Sequence, residues 1–277
     1  MSEKVSCKSC GNRFFGNYCN LCGEKVIKQG DRKLKHLFSE LLNAFTFVES
    51  KLWYTLKVML VRPGKFPHDY VEGRRLKYMR PTSLFFMANL IYFLFPLINT
   101  FKTDLEIQLI GFFYSDMAKS MVDGFLAKSA LSYEEFELLY NTKTASLSKL
   151  LLIVFVLLMA LFFAIIHIGS KKKLIADHIT VNLELMSFVL LIGIEVMAIL
   201  ISLLVMITQW EFVFSDDYLT VMIMLLLGWY FFKIEQHFYG FKGVRRVLNT
   251  ALCLASLTAT LFLYRALLFF ITFWSIT

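Results

Sequence analysis

The chain has 277 residues, of which 57% are hydrophobic, and its mean hydropathy is +0.61. It carries 29 lysines and arginines against 21 acidic residues, a net charge of +8, and its charged fraction of 18% is below the roughly 25% of soluble domains. These values exclude a disordered chain, argue against a soluble enzyme of two small domains, and predict an all-α polytopic membrane protein.

Four of the five cysteines lie near the start of the chain in the pattern C-x2-C-x8-C-x2-C: Cys7, Cys10, Cys19 and Cys22. Two such knuckles joined by a short hairpin supply the tetrahedral set of sulfur ligands that Zn²⁺ prefers. We therefore predict a structural zinc ribbon over residues 1–30. Two disulfides, a dithiol redox pair and bound iron are the alternatives. A cytosolic location disfavours disulfides, and the βαβ context of a redox pair is absent.

Residues 31–81 form a basic juxtamembrane segment. Apolar residues recur at steps of three and four from Leu34 to Leu60, and Arg62-Pro63-Gly64 ends the pattern. A basic amphipathic helix in this position either lies among lipid headgroups or packs against the cytosolic ends of the spans. We predict headgroup contact for Arg62, Lys65, Arg74, Arg75, Tyr78 and Arg80.

Five apolar runs are long enough to cross about 30 Å of hydrocarbon, which takes about 20 helical residues. They cover residues 82–100, 148–169, 185–208, 217–235 and 249–275, within a transmembrane domain over residues 82–277. The connection 101–147 contains a capping-box pattern from Ser132 to Glu135, which predicts a short helix. This outer connection is expected to be either a small helical cap or a solvated connector.

The charges of the connections predict the orientation. Residues 1–81 contain 16 basic and 7 acidic residues, whereas residues 101–147 contain 4 basic and 7 acidic ones. Lysines follow the second run, and Arg245 and Arg246 precede the last. Because basic connections remain in the cytosol, the amino terminus is predicted to be cytosolic and the carboxyl terminus to lie outside.

Two ionisable residues fall within the predicted spans, Glu195 near the middle of the third and Arg265 in the outer half of the fifth. Charged side chains are costly in hydrocarbon and usually face a partner or a wet cavity. The two residues are therefore interpreted either as a structural pair that locks two helices or as a polar site on a substrate or proton path.

Polar residues also gather at the predicted cytosolic ends of the spans: His167, His178, Glu184, Glu235 and His237. Converging imidazoles and carboxylates can bind a metal ion or perform acid–base catalysis. Helix ends also collect polar residues without any such role, and a spacing such as H-E-x-x-H does not occur.

The pattern R-P-G-K-x4-Y-x2-G-R-R-x2-Y-x2-P, from Arg62 to Pro81, stands directly before the first apolar run. With the two C-x-x-C-G knuckles, it resembles the bacterial zinc-ribbon membrane proteins classed as a domain of unknown function (number 3667). The resemblance implies a multi-span protein of the bacterial cytoplasmic (inner) membrane with a cytosolic zinc ribbon. It implies no reaction and no catalytic residues.

Three functional hypotheses follow. The first is a non-enzymatic scaffold that binds a protein partner through the ribbon. The second is a small transporter or lipid-handling protein, which a cavity joining Glu195 to water would favour. The third is a membrane enzyme, which convergence of His167, His178 and His237 would favour. Anionic headgroups are the expected counter-surface for the basic segment, a nucleic-acid partner is disfavoured, and a homo-oligomer is left open.

Overall fold

The structure is a computed structural model that describes residues 4–7, 10–16, 18–22, 50–95, 97, 100–171, 174–208 and 216–277. The chain divides into two compact units, Met1–Lys51 and Leu52–Thr277. The part of the predicted surface helix that precedes residue 50 lies outside the described residues.

The small unit contains a two-stranded antiparallel hairpin. Strand β1 is Val5–Ser6 and strand β2 is Arg13–Phe14. The core of its described part consists of Cys7, Phe14 and Cys19. Within the described part of this unit, these three buried side chains form too small a core for stability without further cross-linking or packing.

The secondary structure of the large unit is helical wherever the structure describes it. In chain order the helices are α1 (50–61), α2 (Lys65–Val71), α3 (Pro81–Leu94), α4 (Leu105–Ile110), α5 (Ser115–Leu126), α6 (Tyr133–Leu150), α7 (Leu152–Ile166), α8 (Ile175–Phe188), α9 (Met197–Thr208), α10 (Asp216–His237) and α11 (Gly243–Trp274). A π-helical segment, Val189–Val196, joins α8 to α9.

Helices α7, α8, α10 and α11 form the centre of this unit. Helix α7 packs against α8 and α11, α10 packs against α11, and α3 packs against α8. Aromatic side chains fill the contacts: Phe188 and Tyr230 stack with their ring centroids 3.9 Å apart, and both are buried. Many large apolar side chains on the outer faces are exposed, including Phe86, Leu161 and Leu225. Such surface is expected of helices that face lipid.

In the part of the chain that the structure describes, two helical stretches are long and apolar enough to cross a membrane, Ile175–Thr208 and Gly243–Trp274. Helices α6 and α7, which meet at a bend of 54°, form a third candidate if they are taken as one span. The prediction of a mostly helical protein with membrane spans is thus supported at this level.

Two predicted spans have different boundaries in the structure. Helix α3 ends at Leu94, so its 14 residues extend only about 21 Å, less than the hydrocarbon thickness. The helix expected to begin at residue 185 begins at Ile175 and continues for 34 residues, or about 51 Å. Its first turns carry buried polar side chains such as Asp177 and Asn182. Hydropathy therefore placed its start too late.

The predicted capping box is confirmed. The backbone amide of Glu135 donates to Ser132 Oγ at 3.2 Å, and the amide of Ser132 donates to a Glu135 carboxylate oxygen at 2.8 Å. The helix that it opens, α6, was expected to end at Tyr140 but continues to Leu150.

The connection 101–147 is packed against the helical bundle and is not a solvated connector. Helices α4, α5 and α6 bury side chains such as Val122 and Phe136 in one cluster with Ala266, Phe269 and Phe273 of α11. Leu105 N at the start of α4 also donates to Asn141 Oδ1 of α6 at 2.9 Å.

Candidate functional site

The four amino-terminal cysteines converge as the sequence predicted. Their sulfur atoms all lie within 4.8 Å of one another, with Cys7 and Cys22 at 3.5 Å and Cys10 and Cys19 at 3.6 Å. These distances are too long for disulfides and close to the ~3.8 Å between sulfurs of a tetrahedral site with Zn–S bonds of about 2.3 Å. The four residues could therefore hold a metal ion.

Hydrogen bonds favour the thiolate form at one of these cysteines. Partial burial acts to raise the pKa of Cys19, but the backbone amides of Cys22 and Leu21 and the side chain of Asn12 outweigh it and lower the pKa to about 6. Asn12 Nδ2 lies 3.8 Å from Cys19 Sγ. A thiolate is the form in which cysteine binds metals.

The surface of the small unit is unusually apolar beside the cysteines. Phe15, Tyr18 and Leu21 are 57%, 62% and 74% exposed. The structure gives these side chains no part in the small core, so they are available for contact with another molecule.

In the large unit, the loop between α1 and α2 is held between α8 and α10. Gly64 N donates to Glu184 Oε2 at 3.0 Å, and His237 Nδ1 lies 2.8 Å from the carbonyl oxygen of Pro63. A Cβ atom at Gly64, where φ is +80°, would lie 2.9 Å from Ile234 Cα. Glu184 and His237, predicted as part of a rim cluster, therefore hold this loop instead.

The carboxylate of Asp69 organises the rest of the juxtamembrane segment, a role that the sequence did not reveal. Asp69 accepts hydrogen bonds from Arg74 Nη2 at 2.6 Å and Tyr78 Oη at 2.7 Å, and Lys65 Nζ lies 3.3 Å away. Burial opposes ionisation, but the Tyr78 hydroxyl, Arg74 and Lys65 outweigh it and lower the pKa of Asp69 to about 2.

This network corrects part of the headgroup prediction. Tyr78 is 5% exposed and cannot lie beside lipid headgroups, because its ring packs against Phe66 and its hydroxyl binds Asp69. Arg74 Nε donates to Asp69 Oδ1 at 3.1 Å, and Arg75 Nε donates to the carbonyl of Tyr70 at 3.0 Å. Arg62 and Arg80 are exposed, and their contact with headgroups stays a prediction.

The remaining rim residues meet in the interior. His167 Nε2 lies 2.7 Å from Glu235 Oε1, and both side chains are fully buried. Asn249 Nδ2 donates to Glu235 Oε2 at 3.2 Å, and the thiol of Cys253 lies 3.6 Å from Glu235 Oε1.

His178 joins this cluster through an aromatic residue. The ring of Tyr239 stacks on His167 at a centroid distance of 3.5 Å, and its hydroxyl lies 2.8 Å from His178 Nδ1. Burial raises the pKa of Tyr239, so its hydroxyl remains protonated. The predicted convergence thus holds for His167, His178 and Glu235, but not for His237.

A family model described as Protein of unknown function (DUF3667) matches residues 49–93. Residues 49–93, here called the DUF3667 segment, are similar to that family. The match confirms, for these residues, the resemblance that the sequence motif indicated. Comparisons with curated proteins and with solved structures found no match.

The DUF3667 segment therefore includes α1, the Pro63–Gly64 loop, the Asp69 network and most of α3. Gly64 of this loop contacts α8, and the carbonyl of Pro63 contacts α10. Within the segment, Met79 N donates to Thr55 Oγ1 at 3.0 Å. Its motif residues thus make a folded connection to the helical bundle.

Glu195 and Arg265 are not paired. Among the described residues, the ion pairs do not include one between them, and Glu195 Oε1 and Arg265 Nε are both without a hydrogen-bond partner. The guanidinium carbon of Arg265 lies 5.3 Å from the centroid of the Phe112 ring, which belongs to the connection 101–147. The expectation of a locking pair is therefore wrong, because the two helices present these residues to different neighbours.

A cavity of about 160 Å³ lies within the bundle, and its lining is almost entirely apolar. Asn182, Met159, Met186, Gly193 and Leu227 are among the lining residues, and Glu195 is not. This cavity therefore does not join Glu195 to water.

Sequence reasoning missed the polar contacts made by Asp69, Tyr239, Asn249 and Cys253. Asn249 and Cys253 are four residues apart, which places both on one face of a helix, but an apolar run surrounds them. This spacing is a usable signal only once the position of Glu235 on the neighbouring helix is known.

Proposed function

We propose that the chain is a non-enzymatic scaffold in the cytoplasmic membrane of a bacterium, with a structural zinc ribbon that docks a protein partner at the cytosolic face. The observation that carries the proposal is the exposed apolar surface, Phe15, Tyr18 and Leu21, on a unit whose four cysteines converge. A bound Zn²⁺ would supply the cross-link that the small core lacks and would fix these side chains in one arrangement.

The proposed topology has five spans, a cytosolic amino terminus and an outer carboxyl terminus. It is supported by the excess of basic residues in 1–81 and the acidic excess in 101–147. Helix α3 reaches the required span length only with residues beyond Leu94. A carboxyl-terminal reporter should be active only outside the cytosol; activity in the cytosol contradicts this topology.

The first experiment measures zinc in the purified full-length chain. Cys7→Ser and Cys22→Ser should each remove about one equivalent of zinc relative to the wild type, because structural zinc needs all four ligands. Ser6→Ala is the matched control and should keep the zinc. Unchanged zinc content in both cysteine variants would rule out the ribbon.

The second experiment tests docking in cells with a photo-crosslinking amino acid at position 18 or 21. Both positions should give the same discrete protein adduct, whereas position 134, an exposed residue of α6 in the large unit, should not give it. Phe15→Ser should weaken the adduct and leave the zinc content intact. Adducts with lipid alone would identify headgroups, and not a protein, as the partner of this surface.

Lipid headgroups remain the proposed counter-surface of Arg62 and Arg80. Both side chains are exposed, and they flank the folded part of the DUF3667 segment. Each basic residue near an anionic surface contributes about 1 kcal/mol of attraction.

A further inference from the structure

A cluster of three potential metal ligands lies inside the helical bundle, separate from the ribbon. His167 caps the end of α7, Glu235 lies in α10 and Cys253 lies in α11. One nitrogen, one oxygen and one sulfur of these residues lie within 4.8 Å of one another, and all three side chains are buried.

The hydrogen bonds of His167 indicate that its Nε2 and a Glu235 oxygen face each other as two acceptors. His167 Nδ1 lies 2.8 Å from the carbonyl oxygen of Phe163, so this nitrogen carries a hydrogen. Its Nε2 then presents a lone pair to Glu235 Oε1 at 2.7 Å. Two acceptors this close must share either a proton or a metal ion.

We infer that His167 Nε2, the Glu235 carboxylate and the Cys253 thiolate bind a divalent transition metal of the zinc class. Imidazole, carboxylate and thiolate are together the ligands of Zn²⁺ and of ions such as Co²⁺, whereas Mg²⁺ and Ca²⁺ prefer oxygen alone. Three protein ligands leave the fourth position of a tetrahedral ion to a small molecule such as water.

The surrounding groups match the second layer of contacts that metal sites need. The His167 ring is oriented by the Phe163 carbonyl, and the second oxygen of Glu235 accepts from Asn249 at 3.2 Å. Metal-binding histidines almost always donate their other nitrogen to a carbonyl or carboxylate, and metal-binding carboxylates are themselves hydrogen-bonded.

A bound tetrahedral ion would require only a small change in the distances between the ligand atoms. Ligand atoms of a tetrahedral ion with bonds of about 2.0 to 2.3 Å are about 3.3 to 3.5 Å apart. Cys253 Sγ and Glu235 Oε1 are 3.6 Å apart, which already fits. His167 Nε2 and Glu235 Oε1, at 2.7 Å, must separate by about half an ångström, which rotation of the carboxylate provides.

The charges also balance. Metal binding releases two protons to water, one from the Cys253 thiol and one shared by His167 and Glu235. The thiolate and the carboxylate then neutralise a divalent cation, which leaves no net charge in a buried site.

The decisive experiment uses full-length chain in which all four ribbon cysteines are replaced by serine, so that Cys253 is its only cysteine. Purified in detergent and loaded with Co²⁺, this protein should bind about one equivalent and show thiolate-to-cobalt charge-transfer absorption. Cys253→Ala should abolish that absorption, and His167→Gln should lower cobalt affinity 10-fold or more. His178→Gln, a nearby histidine outside the ligand set, is the control and should bind as the parent does.

Helical content and a cooperative thermal transition establish that each protein is folded. A folded single-cysteine protein without charge-transfer absorption, or an equal loss of cobalt in the His178→Gln and His167→Gln variants, overturns the inference. If the four-serine protein does not fold, zinc analysis of the otherwise natural chain decides. Cys253→Ala should lower zinc by one equivalent while the ribbon keeps its own, and an unchanged zinc content overturns the inference.

Discussion

The close approach of the Pro63–Gly64 loop to α10 predicts a large effect of one added methyl group. In Gly64→Ala, the new Cβ would lie 2.9 Å from Ile234 Cα and 3.4 Å from Phe238 Cβ. The first of these contacts is with backbone, so the loop or the helix must shift. The left-handed conformation of residue 64 adds a further cost for any side chain.

The magnitude follows from these separate costs. The left-handed conformation costs about 1–2 kcal/mol for alanine. Movement of the loop lengthens the hydrogen bond from Gly64 N to Glu184, whose loss costs about 1–3 kcal/mol when the acceptor stays buried. Gly64→Ala should therefore lower the free energy of unfolding by about 2–5 kcal/mol.

Gly73→Ala provides a matched control within the same DUF3667 segment. Gly73 has φ of +90°, and an added Cβ would have no neighbour within 4 Å. Gly73→Ala should lower the free energy of unfolding by only about 1–2 kcal/mol, the cost of the left-handed conformation. The assay is reversible unfolding in mixed micelles, followed by far-UV circular dichroism. Equal destabilisation by the two variants would show that the loop does not pack against α10 as described.

Three further outcomes can be measured on the same preparations. Asp69→Asn should lower the free energy of unfolding by about 1 kcal/mol at pH 6, after allowance for solvent screening. Because the pKa of Asp69 is lowered to about 2, its contribution is complete above the ordinary value of 3.8, and the difference from wild type should vanish as pH falls through about 2. Ser132→Ala should cost about 1 kcal/mol and speed amide exchange in the first turn of α6. Glu195→Gln and Arg265→Met should be additive within about 0.5 kcal/mol, since the structure does not pair them, and a larger coupling energy would contradict this.

The features that could be predicted from the sequence are those set by neighbouring residues. The capping box depends only on Ser132 and Glu135, and the convergence of the four cysteines depends on the geometry of two short knuckles. The turn after α1 depends on Pro63 and Gly64. In each case the chemistry lies within a few residues, and tertiary packing is not needed to define it.

The contacts that the sequence did not predict correctly depend on how separate helices are rotated and how deeply their residues are buried. Hydropathy begins the third span at residue 185 and does not show that the polar residues before it, such as Asp177 and Glu184, are buried. The predicted rim cluster separated into two sets because α10 presents Glu235 to the interior and His237 to the loop. Two positions only two residues apart on a helix face different directions, and the sequence alone does not show which neighbour each one meets.

The Asp69 network changes how the basic character of the first 81 residues should be interpreted. The excess of positive charge there suggested a surface devoted to headgroups, yet Arg74 is bound to Asp69, and Lys65 lies 3.3 Å from the same carboxylate. Neutralising Arg74 would therefore disturb the fold and the membrane surface together, and a loss of lipid binding in such a variant would have two causes. Arg62 and Arg80 are exposed at the two ends of the network, so their substitution by glutamine separates headgroup attraction from folding.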